Sequence, residues 1–213
     1  MAWLKDVTGV DAAKPGTFRS LNGAADENIF QGRACKAGFF CFFKAWRDMP
    51  YDAILDYEGN LLRVEVKGSS GTSFNVTRGT RSGAQIVRGQ SRTRTLSRDD
   101  CDFVVGVDSD TSDCYIIPED VIEIIDVHNL SKNAVSDFNE KWKLFMHSTN
   151  YLTKEETREG LRNATNTRLT NLLTTLGIPA PATPLRVSGT RISINNSHDA
   201  MVYTIWKEIA KVL

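Results

Sequence analysis

Hydrophobic and polar positions change period along the chain, and each change predicts an element. Asn22 or Asp26 is placed to cap a helix running to about Ala37, where Gly38 is a natural stop. Phe39 to Lys44 is aromatic and apolar and predicts a buried strand. Residues 51–57 and 61–67 then alternate in period two on either side of Glu58-Gly59-Asn60, the pattern of a β-hairpin. Ser73 to Thr77 predicts a short further strand, and Asp102 to Val107 and Cys114 to Ile117 predict two more around the polar turn Asp108 to Asp113. Pro118 to Ile125 makes a short helical or extended connection. The remainder is helical in tendency: Ser136 to His147, then Thr153 to Leu176 with a Thr153/Glu156 capping box and Gly177 at its end, then an amphipathic Ser197 to Leu213. Leu185 to Asn195 predicts a small hairpin within that region.

The hairpin decides which side chains share a face. With an even-numbered loop, paired residue numbers sum to an odd constant, so even positions on the first strand join odd positions on the second. Taking Gly59-Asn60 as a type II′ turn sets Asp52 opposite Lys67, Ile54 opposite Glu65 and Asp56 opposite Arg63, the last as a structural salt bridge. The other face carries Ala53, Leu55, Tyr57, Leu62, Val64 and Val66 and is expected to be core. On the polar face Asp52 and Glu65 become diagonal neighbours, roughly 7 to 8 Å apart at the backbone. Two carboxylates and a lysine at a strand end suit Mg²⁺, which takes one or two carboxylates and leaves its other positions to water and phosphate oxygens. The rival reading is a solvent-facing, salt-bridged hairpin, because short patterns of common residues recur by chance.

Composition narrows the classes. Apolar residues at 41% and charged residues at 24% are near soluble globular averages, which argues against disordered and disulfide-scaffold chains. The longest apolar run, Gly38 to Phe43, is far short of a membrane span, and the charged N-terminus lacks a secretory pattern, so a cytoplasmic protein is expected. The four cysteines contain no CxxC pair and the three histidines are scattered, which sets zinc-finger and His-rich nuclease sites aside; buried free thiols are expected. The zero net charge hides an asymmetry. Residues 69–98 hold six arginines (Arg78, Arg81, Arg88, Arg92, Arg94 and Arg98) and no Lys, Asp or Glu, so the rest of the chain is acidic by the same amount. This Gly/Ser/Thr-rich stretch predicts a loop or ribbon, and its use of Arg alone favours bidentate recognition of phosphates or guanine edges.

Asp52 followed by Glu65-Val66-Lys67, on a hairpin preceded by a helix and strand and followed by the Asp102-Phe103-Val104-Val105 and Tyr115-Ile116-Ile117-Pro118 strands, resembles the PD-(D/E)xK nuclease superfamily over roughly residues 22–125. Tyr51 separates Pro50 from Asp52, so the literal Pro-Asp pair is absent. The resemblance implies an α/β fold: a restriction-endonuclease-like core with a central mixed β-sheet flanked by helices, with a mostly helical C-terminal extension. It divides the chain into a nuclease core over 1–126, including the 69–98 segment, and an extension over 127–213 for DNA recognition or oligomerisation. It further implies Mg²⁺-dependent hydrolysis of double-stranded DNA. Asp52 and Glu65 would hold the ion, with the Val66 carbonyl as an additional ligand, Lys67 would orient the nucleophile, and Glu27 on the first helix would be an auxiliary acid. Glu27 also sits where a helix dipole favours a carboxylate whatever the function. The leading reading is a sequence-specific restriction or homing enzyme, with a Holliday junction resolvase and, in another class, a non-catalytic DNA-binding module as the alternatives, and two-strand cleavage would call for a homodimer or homotetramer.

Overall fold

The computed structural model describes residues 15–43, 49–78, 94–146, 151–188 and 190–213. A helix, α1 (Pro15–Lys36), leads into β1 (Phe40–Phe43), β2 (Ala53–Tyr57) and β3 (Asn60–Ser69). Short strands β4 (Ser73–Asn75), β5 (Thr77–Arg78) and β6 (Arg94–Thr95) precede β7 (Phe103–Asp108) and β8 (Cys114–Pro118). The central sheet has the order β1-β2-β3-β7-β8; β3 and β7 are parallel and the other neighbours antiparallel, which makes it a mixed sheet flanked by helices, as expected.

One face of this sheet carries Leu55, Leu62, Val64, Phe103 and Val105, all fully buried. α1 lays Phe30 and Ala34, one turn apart, on that face. The other face is closed at one end by β4: Phe74 lies over Gly106, where a Cβ would come within 2.6 Å of the ring, so only glycine admits this contact. β4 pairs with β9 (Asn129–Ser131), which follows α2 (Glu119–Ile125).

After β9 come two 3₁₀ segments, 132–138 and 142–145, where a helix over 136–147 was expected. The expected 153–176 helix is also divided. Thr153 and Glu156 do form the capping box of α3 (Lys154–Glu159), but Gly160 at φ 85° ends it before α4 (Asn166–Thr175) begins. At Gly160 a Cβ would lie 2.4 Å from Asp120 Oδ1 and 2.5 Å from Arg98 Nη2, so a buried charge cluster occupies the space that a continuous helix would need. β10 (Leu185–Arg186) and β11 (Ser193–Ile194) form the small hairpin, and α5 (Ser197–Val212) packs Trp206 against Phe103 of the central sheet, ring centroids 6.4 Å apart.

Three further expectations are corrected. β1 is an edge strand that turns Phe40 and Phe42 to solvent, because the strand has a neighbour on one side only and no described helix covers its outer face. The hairpin turns at Glu58-Gly59, both at positive φ, which is the type I′ geometry matched to strand twist; the paired numbers therefore sum to 117, as in Ala53↔Val64. Asp56 consequently accepts a hydrogen bond from the Gly59 amide at 3.0 Å, while Arg63 pairs with Asp102. Of the thiols, Cys101 and Cys114 are buried as expected, but Cys35 is exposed.

Candidate active site

Asp52 stands one residue before β2, at the point where the chain leaves Pro50. Its amide donates to the Val64 carbonyl at 2.9 Å, and its Oδ2 accepts from the Val66 amide at 2.9 Å, so the carboxylate ties off the end of the β2–β3 ladder. Carrying the register one step beyond Ala53↔Val64 sets Asp52 level with Glu65, a closer juxtaposition than the diagonal one expected. Glu65 and Lys67 follow on the same face of β3, and Lys67 Nζ donates to Glu65 Oε1 at 2.6 Å. The structure therefore brings Asp52, Glu65 and Lys67 together on one sheet face, with Asp52 5% and Glu65 9% exposed.

Burial pushes the Glu65 carboxyl up to about 7; the Lys67 ammonium opposes that rise and the Asp52 charge adds to it. A divalent cation would add positive charge beyond the Lys67 ammonium, and a hard ion held by two carboxylates and otherwise by water and phosphate fits this donor set. Among the described residues no group of three or more His, Cys, Asp or Glu side chains is placed to hold a metal ion.

The first helix meets β3 from the other face. Asp26, 7% exposed, lies directly on Gly68, where a Cβ would fall 1.7 Å from its Oδ2, and its Oδ1 accepts from the Ser109 hydroxyl at 3.0 Å. Burial raises the Asp26 pKa, partly offset by that hydroxyl. Asp26, not Glu27, is thus the acid that α1 buries beside the end of the Glu65-Val66-Lys67 run; Glu27 is half-buried on the same helix. The sequence signal for this was available: Asp26, Phe30 and Ala34 recur at four-residue spacing, which places Asp26 on the apolar stripe.

The arginines of the 69–98 stretch divide. Arg81, Arg88 and Arg92 lie outside the described residues. β5 and β6 pair Arg78 with Arg94, and both guanidinia converge on Asp100, only 1% exposed, at 2.6 Å and 2.5 to 2.7 Å. Arg98 enters a second cluster, 3.4 Å from Glu119 and 3.2 Å from Asp120. Glu119 is fully buried with neither carboxyl oxygen hydrogen-bonded, and burial, with the charge of Glu123, lifts its pKa to about 9 against the opposing Arg98. Beside the Asp52/Glu65/Lys67 face opens a cleft of about 700 Å³ lined by Ile54, Leu61, Arg63, Arg98 and Arg158 with Asp102 and Glu159. Period-two alternation sets Arg63 opposite Asp56 and gives no sign of its place in the cleft, and Arg158 lies on α3, far from the hairpin in the chain.

No family model matches this chain, and no curated protein matches it. Among solved structures it is similar to a bacterial homing endonuclease, I-Ssp6803I, at 22% identity and a TM-score of 0.51. The likeness covers 60% of this chain and 93% of that one. At this identity the likeness establishes the fold.

Proposed function

We propose that this protein is a Mg²⁺-dependent DNA endonuclease of the PD-(D/E)xK type, with a homing or restriction role. The observation that carries the reading is the convergence of Asp52, Glu65 and Lys67 on one face of the β2–β3 hairpin. Support comes from the fold, which it shares with a bacterial homing endonuclease.

Asp52 and Glu65, with the Val66 carbonyl, would hold Mg²⁺; when bound, the ion polarises the scissile phosphate and lowers the pKa of a water. The chain's own residues do the rest. Asp52 is held in place by the Val66 amide, so its carboxylate keeps a fixed direction. Lys67 sets an ammonium beside Glu65, where it can orient a nucleophilic water or offset charge developing on the phosphate. Asp26 buttresses the end of β3 through its contact with Gly68. Arg81, Arg88 and Arg92 are the arginines that would meet the DNA backbone, and Glu27 remains a candidate auxiliary acid. Cleavage of both strands would use a symmetric dimer or tetramer acting on DNA in the cytoplasm. Among the described residues no helix is long and apolar enough to cross a membrane.

The test is incubation of the protein with plasmid, genomic and four-way-junction DNA, with Mg²⁺ or with EDTA. Discrete bands with Mg²⁺ alone are expected, and both Glu65→Ala and Lys67→Ala should abolish them while DNA binding survives. Cleavage at the parent's rate by either variant overturns the assignment.

A further inference from the structure

Lys67 stands on the site face of β3 with two carboxylates in reach. Glu65 lies two residues back along the strand, about 6.6 Å away at the backbone. It accepts from the ammonium at 2.6 Å. The second acid, Asp108, is on the neighbouring strand. Lys67 pairs with Gly106 and Ser69 with Asp108, and residues paired across a sheet share a face. Asp108 is therefore one strand and two residues from Lys67, about 8 Å at the backbone. The flexible four-carbon stem of a lysine spans either separation, so the strand alone does not choose between the two acids.

An aromatic ring makes the choice. Gly106 has no side chain, and the Phe74 ring takes the space: a Cβ at Gly106 would meet Cε2, Cδ2 and Cζ of the ring at 2.6 to 2.7 Å. Phe74 is fully buried and pairs with Leu130 of β9. Its ring also lies 5.2 Å, centroid to centroid, from that of Tyr115, the residue that pairs with Gly106 from the other side. The ring is thus fixed in the corner between Lys67, Gly106 and Asp108. Asp108 meanwhile has an ammonium of its own. Lys132 Nζ, 5.4 Å from the Phe74 ring centroid, donates to Asp108 Oδ2 at 2.6 Å and to the Ser69 carbonyl at 3.1 Å. Two lysines and two carboxylates on one sheet face are sorted into two pairs, with the ring over the position where they would mix.

Resting on the endonuclease reading above, we infer that Phe74 is a positioning residue for the hydrolytic step: its ring bars Lys67 from Asp108 and commits the ammonium to Glu65. An ammonium shared between two acids spends part of its time away from the Asp52/Glu65 pair, where the nucleophilic water would be oriented. A misplacement of about 1 Å is enough to slow a reaction by roughly a hundredfold.

The experiment compares the full chain with Phe74→Leu, which ends at its Cδ atoms and lacks the ring edge over Gly106. Phe74→Met, which keeps more of the volume on a flexible stem, is the second variant and should behave in the same way. Phe74→Leu/Asp108→Asn removes the competing charge. Ile116→Ala opens a cavity on the opposite face of the same sheet and controls for lost packing. Single-turnover cleavage of duplex DNA with Mg²⁺, at saturating protein, is read below the thermal midpoint of the least stable variant. Phe74→Leu should cut at least about tenfold more slowly, with its affinity for duplex unchanged. Adding Asp108→Asn should restore most of that rate, although it also removes the ion pair with Lys132 and so cannot act by restoring stability. Ile116→Ala should cut at the parent's rate. A Phe74→Leu protein as fast as the parent, a slow one that Asp108→Asn does not rescue, or an equal loss in Ile116→Ala overturns the inference and leaves the endonuclease reading standing. A parent protein that does not cut DNA with Mg²⁺ removes that reading, and this inference with it.

Discussion

Glu119 shows how far one side chain can depart from its ordinary chemistry. It is fully buried, unpaired by any hydrogen bond, and holds its proton to about pH 9 against 4.5 for an ordinary glutamate. The folded protein therefore binds a proton that the unfolded chain releases above about pH 4.5. Its contribution to stability is fully present below that pH and is lost as pH rises toward 9. Glu119→Gln mimics the protonated acid and removes the titration. Thermal unfolding from pH 5 to 9 should show the parent losing stability by up to about 1.4 kcal/mol per pH unit more steeply than the variant. Parallel pH profiles would mean that Glu119 is ionised in the fold. Nothing in the run Pro118-Glu119-Asp120 separates this residue from an exposed helix-start acid. Only the packing of α2, where Trp206 Nε1 and the Leu161 amide both donate to Asp120 Oδ2 at 2.8 Å, seals the neighbourhood.

At the scale of elements, the hairpin is held at a turn that its sequence does not favour. Glu58 occupies a left-handed conformation at φ 50°, which costs a side chain other than Gly, Asn or Asp about 1 kcal/mol. Glu58→Asn, at an exposed position, should raise stability by roughly 0.5 to 1 kcal/mol in denaturant melts without altering the site, since Asn-Gly is the favoured type I′ pair. The β5–β6 stem makes a second element-scale prediction. Asp100 gathers Arg78 and Arg94, so Asp100→Ala should cost roughly 1 to 3 kcal/mol of stability. Replacing Arg88 and Arg92 should flatten the dependence of log DNA affinity on log salt by about two. An Asp100→Ala protein as stable as its parent would show that the stem is not anchored there. In sequence the six arginines look equivalent. Arg78, Arg94 and Arg98 each find a carboxylate in the folded chain, 22 residues away for Arg78.

For the whole molecule, the C-terminal helix is part of the support of the sheet. Trp206 is 1% exposed, stacks edge-on to Phe103, and donates to the buried Asp120. Trp206→Ala should therefore cost about 3 to 5 kcal/mol in equilibrium unfolding, through the cavity and the lost donor together. A loss below about 1 kcal/mol would mean that α5 is an appendage. What the amino-acid sequence determined by itself was the order of the first helix and the five strands of the central sheet, and the face on which Asp52, Glu65 and Lys67 stand. That face survived a turn placed one residue away from the expected one, because the paired numbers changed from 119 to 117 and kept their parity. Parity is a local property of a period-two chain, so a two-residue slip leaves it intact. Tertiary structure alone decided that Arg63 belongs to Asp102 and that Phe40 and Phe42 face outward. Each of these depends on which element docks beside which, and contacts between residues tens of positions apart leave no mark on the periodicity of either segment.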